Sequence, residues 1–216
     1  MYHAGLGPAR RTTLPMTLLD MLKDDGTCME EVAAFLDRCA PEARAEAVLA
    51  LDRSGQRMLY RRAAQPLGLD HFVPRSVASR SAVRHRGRNT LPLPARLKLF
   101  EKRFSRPDDG SARLFGYNES PFKRSVGPGF FVAYRTAGQP AWEDRGDVVV
   151  DYFQIPDGPV PEGWGTVVPN SRGLSRFVYD GTRDFMRGVS VHVSVGAAYK
   201  GEKKLDHYFV LVREDP

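Results

Sequence analysis

The residues best placed to do chemistry lie in the segment 189–199, VSVHVSVGAAY. Four valines alternate there with serine, histidine and glycine, a period of two that is typical of a β-strand with two different faces. His192 stands on the face without valine, two residues before Ser194. Because imidazole titrates near neutral pH, His192 is a candidate general base, with Tyr208 and Asp184 as candidate partners in acid–base catalysis.

The same face also has the composition of a ligand-binding wall. Serine, glycine and alanine leave space along a strand, and ligand pockets combine apolar walls with a few convergent polar groups. We expect those polar contacts from four residues: Tyr179, His192, Ser194 and Tyr208. The alternative is a solvated sheet face on which the histidine has no function.

Pairing with the last strand-like run, LDHYFVLVR, decides which side chains share this face. We expect Tyr199 to lie opposite Leu205 in an antiparallel pair. This register places Tyr208 over Gly196, an aromatic–glycine contact that stabilises strand pairing. It also places Phe209 in the core beside the valines.

Positive charge is concentrated in one central segment. Ten lysines and arginines lie between Arg75 and Arg106 with a single acidic residue, whereas the whole chain carries a net charge of +6. Arg84, Arg86 and Arg88 form the densest group and predict binding to an anionic surface or an acidic protein. Residues 75–95 lack the interleaved aromatic residues of single-stranded nucleic-acid sites, which argues against a nucleic-acid partner.

The sequence predicts neither a metal site nor a cofactor. The five histidines are scattered and form no His-Glu-x-x-His motif. The Gly-Pro-Gly at 127–129 lacks the frame of a phosphate-binding loop and favours a turn. No serine lies in a nucleophile-elbow motif, so the sequence leaves open whether the protein is an enzyme.

The N-terminal part of the chain predicts helices. Residues 1–16 contain glycine and proline without periodicity and predict a flexible arm. Between 17 and 65, apolar residues recur at helical spacing, as in Val32, Phe35 and Leu36. This region is typical of a subdomain of three or four short helices.

The rest of the chain predicts a basic connector and a β domain. Residues 66–106 form the connector, with a short helix over Ala95–Phe104. Residues 107–216 contain strand-like runs joined by short turns, and short links favour antiparallel pairing. The runs are 112–117, 130–136, 147–155, 166–168, 174–179, 189–199 and 205–213. The predicted class is α+β, with short helices followed by an antiparallel β-barrel or a strongly curved β-sheet.

Length and composition limit the function. A chain of 216 residues, 42% of them hydrophobic, can form a sizeable core. No apolar run reaches the roughly 18 residues of a spanning helix, and the first 16 residues lack the apolar segment of a signal peptide, so we expect a cytoplasmic protein. We expect binding of an apolar or amphipathic, lipid-like molecule in a cavity of the β domain. An acid–base enzyme in the same cavity and a module that docks an anionic partner are the alternatives.

Overall fold

A computed structural model describes residues 16–120 and 127–214 of the chain. The predicted α+β class is confirmed: five short helices occur before a closed barrel of eight antiparallel strands. The predicted arm, residues 1–16, lies outside the described residues except for Met16. The helices are α1 (Leu18–Lys23), α2 (Met29–Arg38), α3 (Pro41–Leu49), α4 (Arg53–Arg62) and α5 (Leu69–Phe72).

The barrel strands follow one another around the wall in chain order, and the last pairs with the first. A 3₁₀ turn at Ala95–Leu97 and a short helix α6 (Ser175–Val178) lie between strands. The strands are β1 (Val83–Asn89), β2 (Leu99–Ser105), β3 (Arg113–Glu119), β4 (Phe131–Arg135), β5 (Val148–Asp151), β6 (Thr182–Gly188), β7 (Val193–Lys200) and β8 (Lys203–Arg213).

Local capping groups fix where the first helices begin. Thr17 caps α1, accepting a hydrogen bond from the backbone N–H of Asp20 at 3.2 Å. The carboxylate of Asp20 accepts one from the Thr17 N–H in return, which satisfies two exposed donors. At the start of α2, the Cys28 N–H donates to the Glu31 carboxylate at 2.8 Å.

The helices form a layer against the outside of β7 and β8. Val193, Val195 and Val210 point outward from these strands and are fully buried in one apolar cluster with Leu36 and Leu59 of the helices. The predicted burial of the valine face is therefore confirmed for Val189, Val193 and Val195, whereas Val191, which precedes β7, is 60% exposed. The face packs against helices, while the opposite face of the same strands lines the barrel interior.

The predicted register between β7 and β8 is wrong. Tyr199 pairs with Lys204, and beyond a bulge between Ala197 and Tyr199 the register shifts, so that Gly196 pairs with Phe209. A slip of one residue exchanges the two faces of a strand. Phe209 consequently points into the barrel, and its ring covers the position where a Gly196 Cβ would lie.

Several strand assignments also differ from the prediction. Residues 66–106, expected to form a connector, contribute β1 and β2, and the helix expected at 95–104 is limited to the 3₁₀ turn. The runs 166–168 and 174–179 are not strands, whereas 182–188 forms β6. Alternation in β1 is hidden because three of its four inward residues, His85, Gly87 and Asn89, are not apolar.

One end of the barrel is plugged by α5. Phe72 is fully buried there, with its ring centroid 4.7 Å from that of Phe104. Its backbone carbonyl lies 3.0 Å from Nε2 of His85, which fixes the plug to β1. Within the described parts of the chain, no helix has the length and apolar character required to cross a membrane.

Candidate functional site

The barrel interior contains a cavity of about 550 Å³ at the end away from α5. The part of its wall that comes from the β1–β2 connection, β2 and β8 is apolar and includes Leu91, Leu97, Phe100 and Leu205. The exposed side chains of Lys200 and Val178 border it, so the cavity reaches the surface. Its floor is polar.

The floor is a cluster of four side chains centred on Lys102. The Lys102 ammonium donates to Oδ1 of Asn118 at 2.9 Å, to Oδ2 of Asp184 at 3.2 Å and to the hydroxyl of Tyr152. The Tyr152 hydroxyl donates in turn to Oδ2 of Asp184 at 3.2 Å. The Asn118 amide donates to the Tyr152 oxygen and to the carbonyl of Gly129, so the amide orientation is fixed.

The strands position these side chains by pairing and alternation. Lys102 on β2 pairs directly with Asn118 on β3, which places both side chains on the same inward face. Asp184 on β6 pairs with Ala198 on β7, whose small side chain leaves space beside the carboxylate. Tyr152 follows β5 and donates its backbone N–H to the carbonyl of Thr182.

Burial dominates the electrostatics of the cluster. The Lys102 side chain is 2% exposed and that of Asp184 10%. Burial lowers the pKa of Lys102, against the opposing effect of the Asp184 charge. Burial likewise raises the pKa of Asp184, against the effect of Lys102, and raises that of Tyr152 well above its usual value. The neutral forms of the lysine and the aspartate are therefore closer in free energy to the ion pair than they would be in water.

Aromatic rings frame the amine. The centroids of Phe131, Tyr152 and Phe209 each lie 5.0 Å from Nζ of Lys102. Ring faces at this distance stabilise a cation and exclude water from it. The amine is therefore held in one place by both polar and aromatic contacts.

Of the site residues predicted from the sequence, two direct their side chains to this cavity. Asp184 forms part of its floor, and Tyr179 lines the wall beside it. The Tyr179 ring stacks on that of Tyr152, with centroids 5.3 Å apart and an angle of 25° between the planes. Burial raises the pKa of Tyr179 to about 12. Both tyrosines therefore remain protonated near neutral pH.

The structure separates His192 and Ser194 from this floor. His192 precedes β7 near the plugged end, where Arg213 donates to its Nδ1 at 3.2 Å. Ser194 points inward and is fully buried, and its hydroxyl has no hydrogen-bond partner among the described residues. Because Asp184 pairs with Ala198, His192 lies about 20 Å further along the strand. The acid–base set expected from the sequence is therefore not brought together.

Tyr208 borders the cavity but directs its ring elsewhere. It pairs with Ala197 on the face that packs against the helices, and its ring centroid is 5.7 Å from that of Tyr60 in α4. Its backbone N–H donates to the Thr90 hydroxyl at 2.9 Å. The hydroxyl of Tyr208 therefore belongs to the helix–barrel interface.

Arg84, Arg86 and Arg88 alternate along the outer side of β1 and have partners within the chain. Arg84 lies 3.5 Å from Glu101 and 2.5 Å from Glu214. Arg86 lies 2.8 Å from the Glu42 carboxylate. Arg88 donates to the backbone carbonyl of Leu49 at 2.6 Å. An external anion would have to compete with these partners.

Sequence reasoning missed Lys102 and Asn118. The signal for the lysine is its position between Phe100 and Phe104 at a spacing of two. In a helix it would lie on the basic outer face, but in a strand it shares the buried face with both phenylalanines. The strand is therefore what identifies it as an inward-facing amine.

In the described part of the chain, no cluster of histidine, cysteine, aspartate or glutamate has a geometry suited to a metal ion. The sequence matches no protein-family model, and no curated protein or solved structure is significantly similar to it. Function must therefore be inferred from the cavity and its buried cluster.

Proposed function

We propose that the barrel binds an amphipathic small molecule in its cavity. The apolar part would lie among Leu91, Leu97 and Phe100, and one polar group would reach Lys102. The observation that carries the proposal is an open, mainly apolar cavity whose floor is a convergent cluster of polar side chains. Its volume of about 550 Å³ lies in the range of small-molecule sites.

Charge favours an uncharged polar group on the ligand. Among the described residues of the floor, one ammonium and one carboxylate lie 3.2 Å apart, so their charges cancel. A ligand carboxylate at Lys102 would be repelled by Asp184, and bringing a third charge into a buried site is costly. A carbonyl or hydroxyl group of the ligand could instead accept a hydrogen bond from Lys102 in place of one that Lys102 donates within the cluster, without adding a charge.

The proposal is tested with an uncharged fluorescent probe such as Nile red. We expect saturable binding with a dissociation constant near 1 μM, equivalent to about 8 kcal/mol. Ala198→Phe should abolish it, because the new ring fills the space beside Asp184. Ala141→Phe, an identical change at an exposed turn, is the matched control and should bind normally.

Thermal melts of the two variants separate a filled cavity from a misfolded barrel. Loss of probe binding in a cooperatively folded Ala198→Phe protein supports the proposal. Equal binding to both folded variants would contradict it, since the probe would then occupy another surface.

We place this binding in the cytoplasm, where the two free cysteines, Cys28 and Cys39, would remain reduced. We do not extend the proposal to anion docking by Arg84, Arg86 and Arg88, because each already interacts with a partner in the chain.

A further inference from the structure

A lysine at the bottom of an open apolar cavity is an uncommon arrangement. Lysine is almost never fully buried unless it is paired, because packing alone does not offset the free energy lost when the ammonium group leaves water. Lys102 has its carboxylate partner, Asp184, but both groups line a space large enough for a ligand. The site therefore combines a primary amine, a carboxylate and the phenol of Tyr152 within hydrogen-bond distance of one another.

We propose that Lys102 forms a reversible imine with an apolar aldehyde or ketone bound in the cavity. This inference rests on the proposed binding function and specifies the chemical class of its ligand. It also makes the protein a covalent carrier or a catalyst for carbonyl compounds.

The first step makes the amine nucleophilic. The Lys102 ammonium transfers a proton to the Asp184 carboxylate, 3.2 Å away, which leaves a neutral amine and a neutral acid. Burial supports this transfer because it lowers the pKa of the lysine and raises that of the aspartate. The environment needed for such a lysine is a desolvated one, as here.

Bond formation then follows without any co-reactant. The nitrogen lone pair attacks the carbonyl carbon, while the Tyr152 hydroxyl donates a hydrogen bond to the carbonyl oxygen. Asp184 gives its proton to that oxygen and takes one from nitrogen, which produces a carbinolamine. The same carboxyl group then protonates the hydroxyl, the carbon–oxygen bond breaks, and water leaves. The products are a Lys102 iminium ion, an Asp184 carboxylate and one water molecule, so atoms and charge balance.

The surroundings suit the product as well as the reactant. The iminium keeps the positive charge of the lysine, so Asp184 remains its counterion. The rings of Phe131 and Phe209, each 5.0 Å from Nζ, can stabilise the cation and limit the access of water that would hydrolyse it. A structural ion pair would need no space beside the amine, whereas this pair borders the cavity.

The test is reductive trapping. Full-length protein is incubated with decanal and sodium cyanoborohydride, and labelled lysines are located by peptide mass spectrometry. The lowered pKa leaves more of Lys102 as free amine near neutral pH, and a cavity that holds the aldehyde beside this amine raises the effective concentration by orders of magnitude. We therefore expect at least about tenfold more label on Lys102 than on the exposed Lys23, and loss of that label when decanol, an unreactive analogue, fills the cavity.

Two further measurements keep this inference separate from the binding proposal. Displacement of Nile red from the wild-type protein by decanol reports binding alone, whereas the trapped adduct reports the imine and should be lost in Lys102→Met. Decanol displacement with equal labelling of Lys102 and Lys23 would overturn the imine and leave the binding function standing. Failure of decanol to displace a bound probe, together with absence of the adduct, would overturn both.

Discussion

Breaking the buried pair between Lys102 and Asp184 should destabilise the fold in a pH-dependent way. Lys102→Met keeps a similar side-chain length but leaves the Asp184 carboxylate in the barrel without its cation. Both side chains are at least nine-tenths buried. Removing one partner of such a pair costs about 3–5 kcal/mol, a large part of the roughly 5–15 kcal/mol that stabilises a typical domain.

The sign of the pH dependence follows from the pKa of Asp184. Burial raises that pKa in the folded state, and removal of Lys102 takes away the main effect that lowers it. A group whose folded pKa is raised contributes stability that is present below the unfolded pKa and is lost as pH rises through the folded pKa. The free energy of unfolding of Lys102→Met should therefore fall, relative to wild type, as pH rises above about 4, the pKa of an aspartate in an unfolded chain.

Urea unfolding of four proteins measures the effect. These are wild type, Lys102→Met, Asp184→Asn and the double variant, at acidic, neutral and alkaline pH. The double variant removes both charges and should recover most of the loss seen in the single variants. A cost for Lys102→Met below about 1 kcal/mol that does not change with pH would refute the buried pair.

Two other predictions concern the barrel wall. Val193→Asp should lower the free energy of unfolding in urea by several kcal/mol, because it puts an unpaired charge under the helices. Ser194→Ala should be neutral or stabilising, since the buried hydroxyl lacks a partner among the described residues. The reverse order would show that the two faces of β7 are exchanged. Gly196→Ala should lower the free energy of unfolding by about 1–3 kcal/mol, because the new Cβ would lie 2.3 Å from Cζ of Phe209. Gly68→Ala, with open space around it, serves as the control. Equal losses in the two variants would contradict the close contact.

The sequence predicted the fold class because its clearest patterns are local. The helical stripe that includes Val32 and Leu36 and the valine alternation of β7 each bury one face, and both lie where expected. The strand β1 was missed because its inward side carries His85, Gly87 and Asn89, so alternation of apolar and polar residues is absent. Where polar groups line the barrel interior, a strand lacks the alternation of apolar and polar residues by which it would be recognised in a sequence.

The site was harder to predict than the fold because it depends on register and closure. Beyond the bulge between Ala197 and Tyr199, Gly196 pairs with Phe209 rather than with Tyr208, so the predicted register, one residue off, placed both aromatic side chains on the wrong faces. Lys102 lies in the run Glu-Lys-Arg and resembles a surface lysine until β2 is known to be a strand. Its neighbours Asp184 and Tyr152 are distant in sequence and meet it only when the barrel closes.

Methyl NMR with decanol as ligand tests most directly whether the barrel interior is the binding site. We expect saturable shifts of the methyl signals of Leu91, Leu97 and Leu205, which line the cavity. Leu36 and Leu59, buried in the helical layer, serve as internal controls and should not move. Shifts confined to the helical layer, or shifts that grow linearly without saturation, would contradict the proposed binding in the barrel.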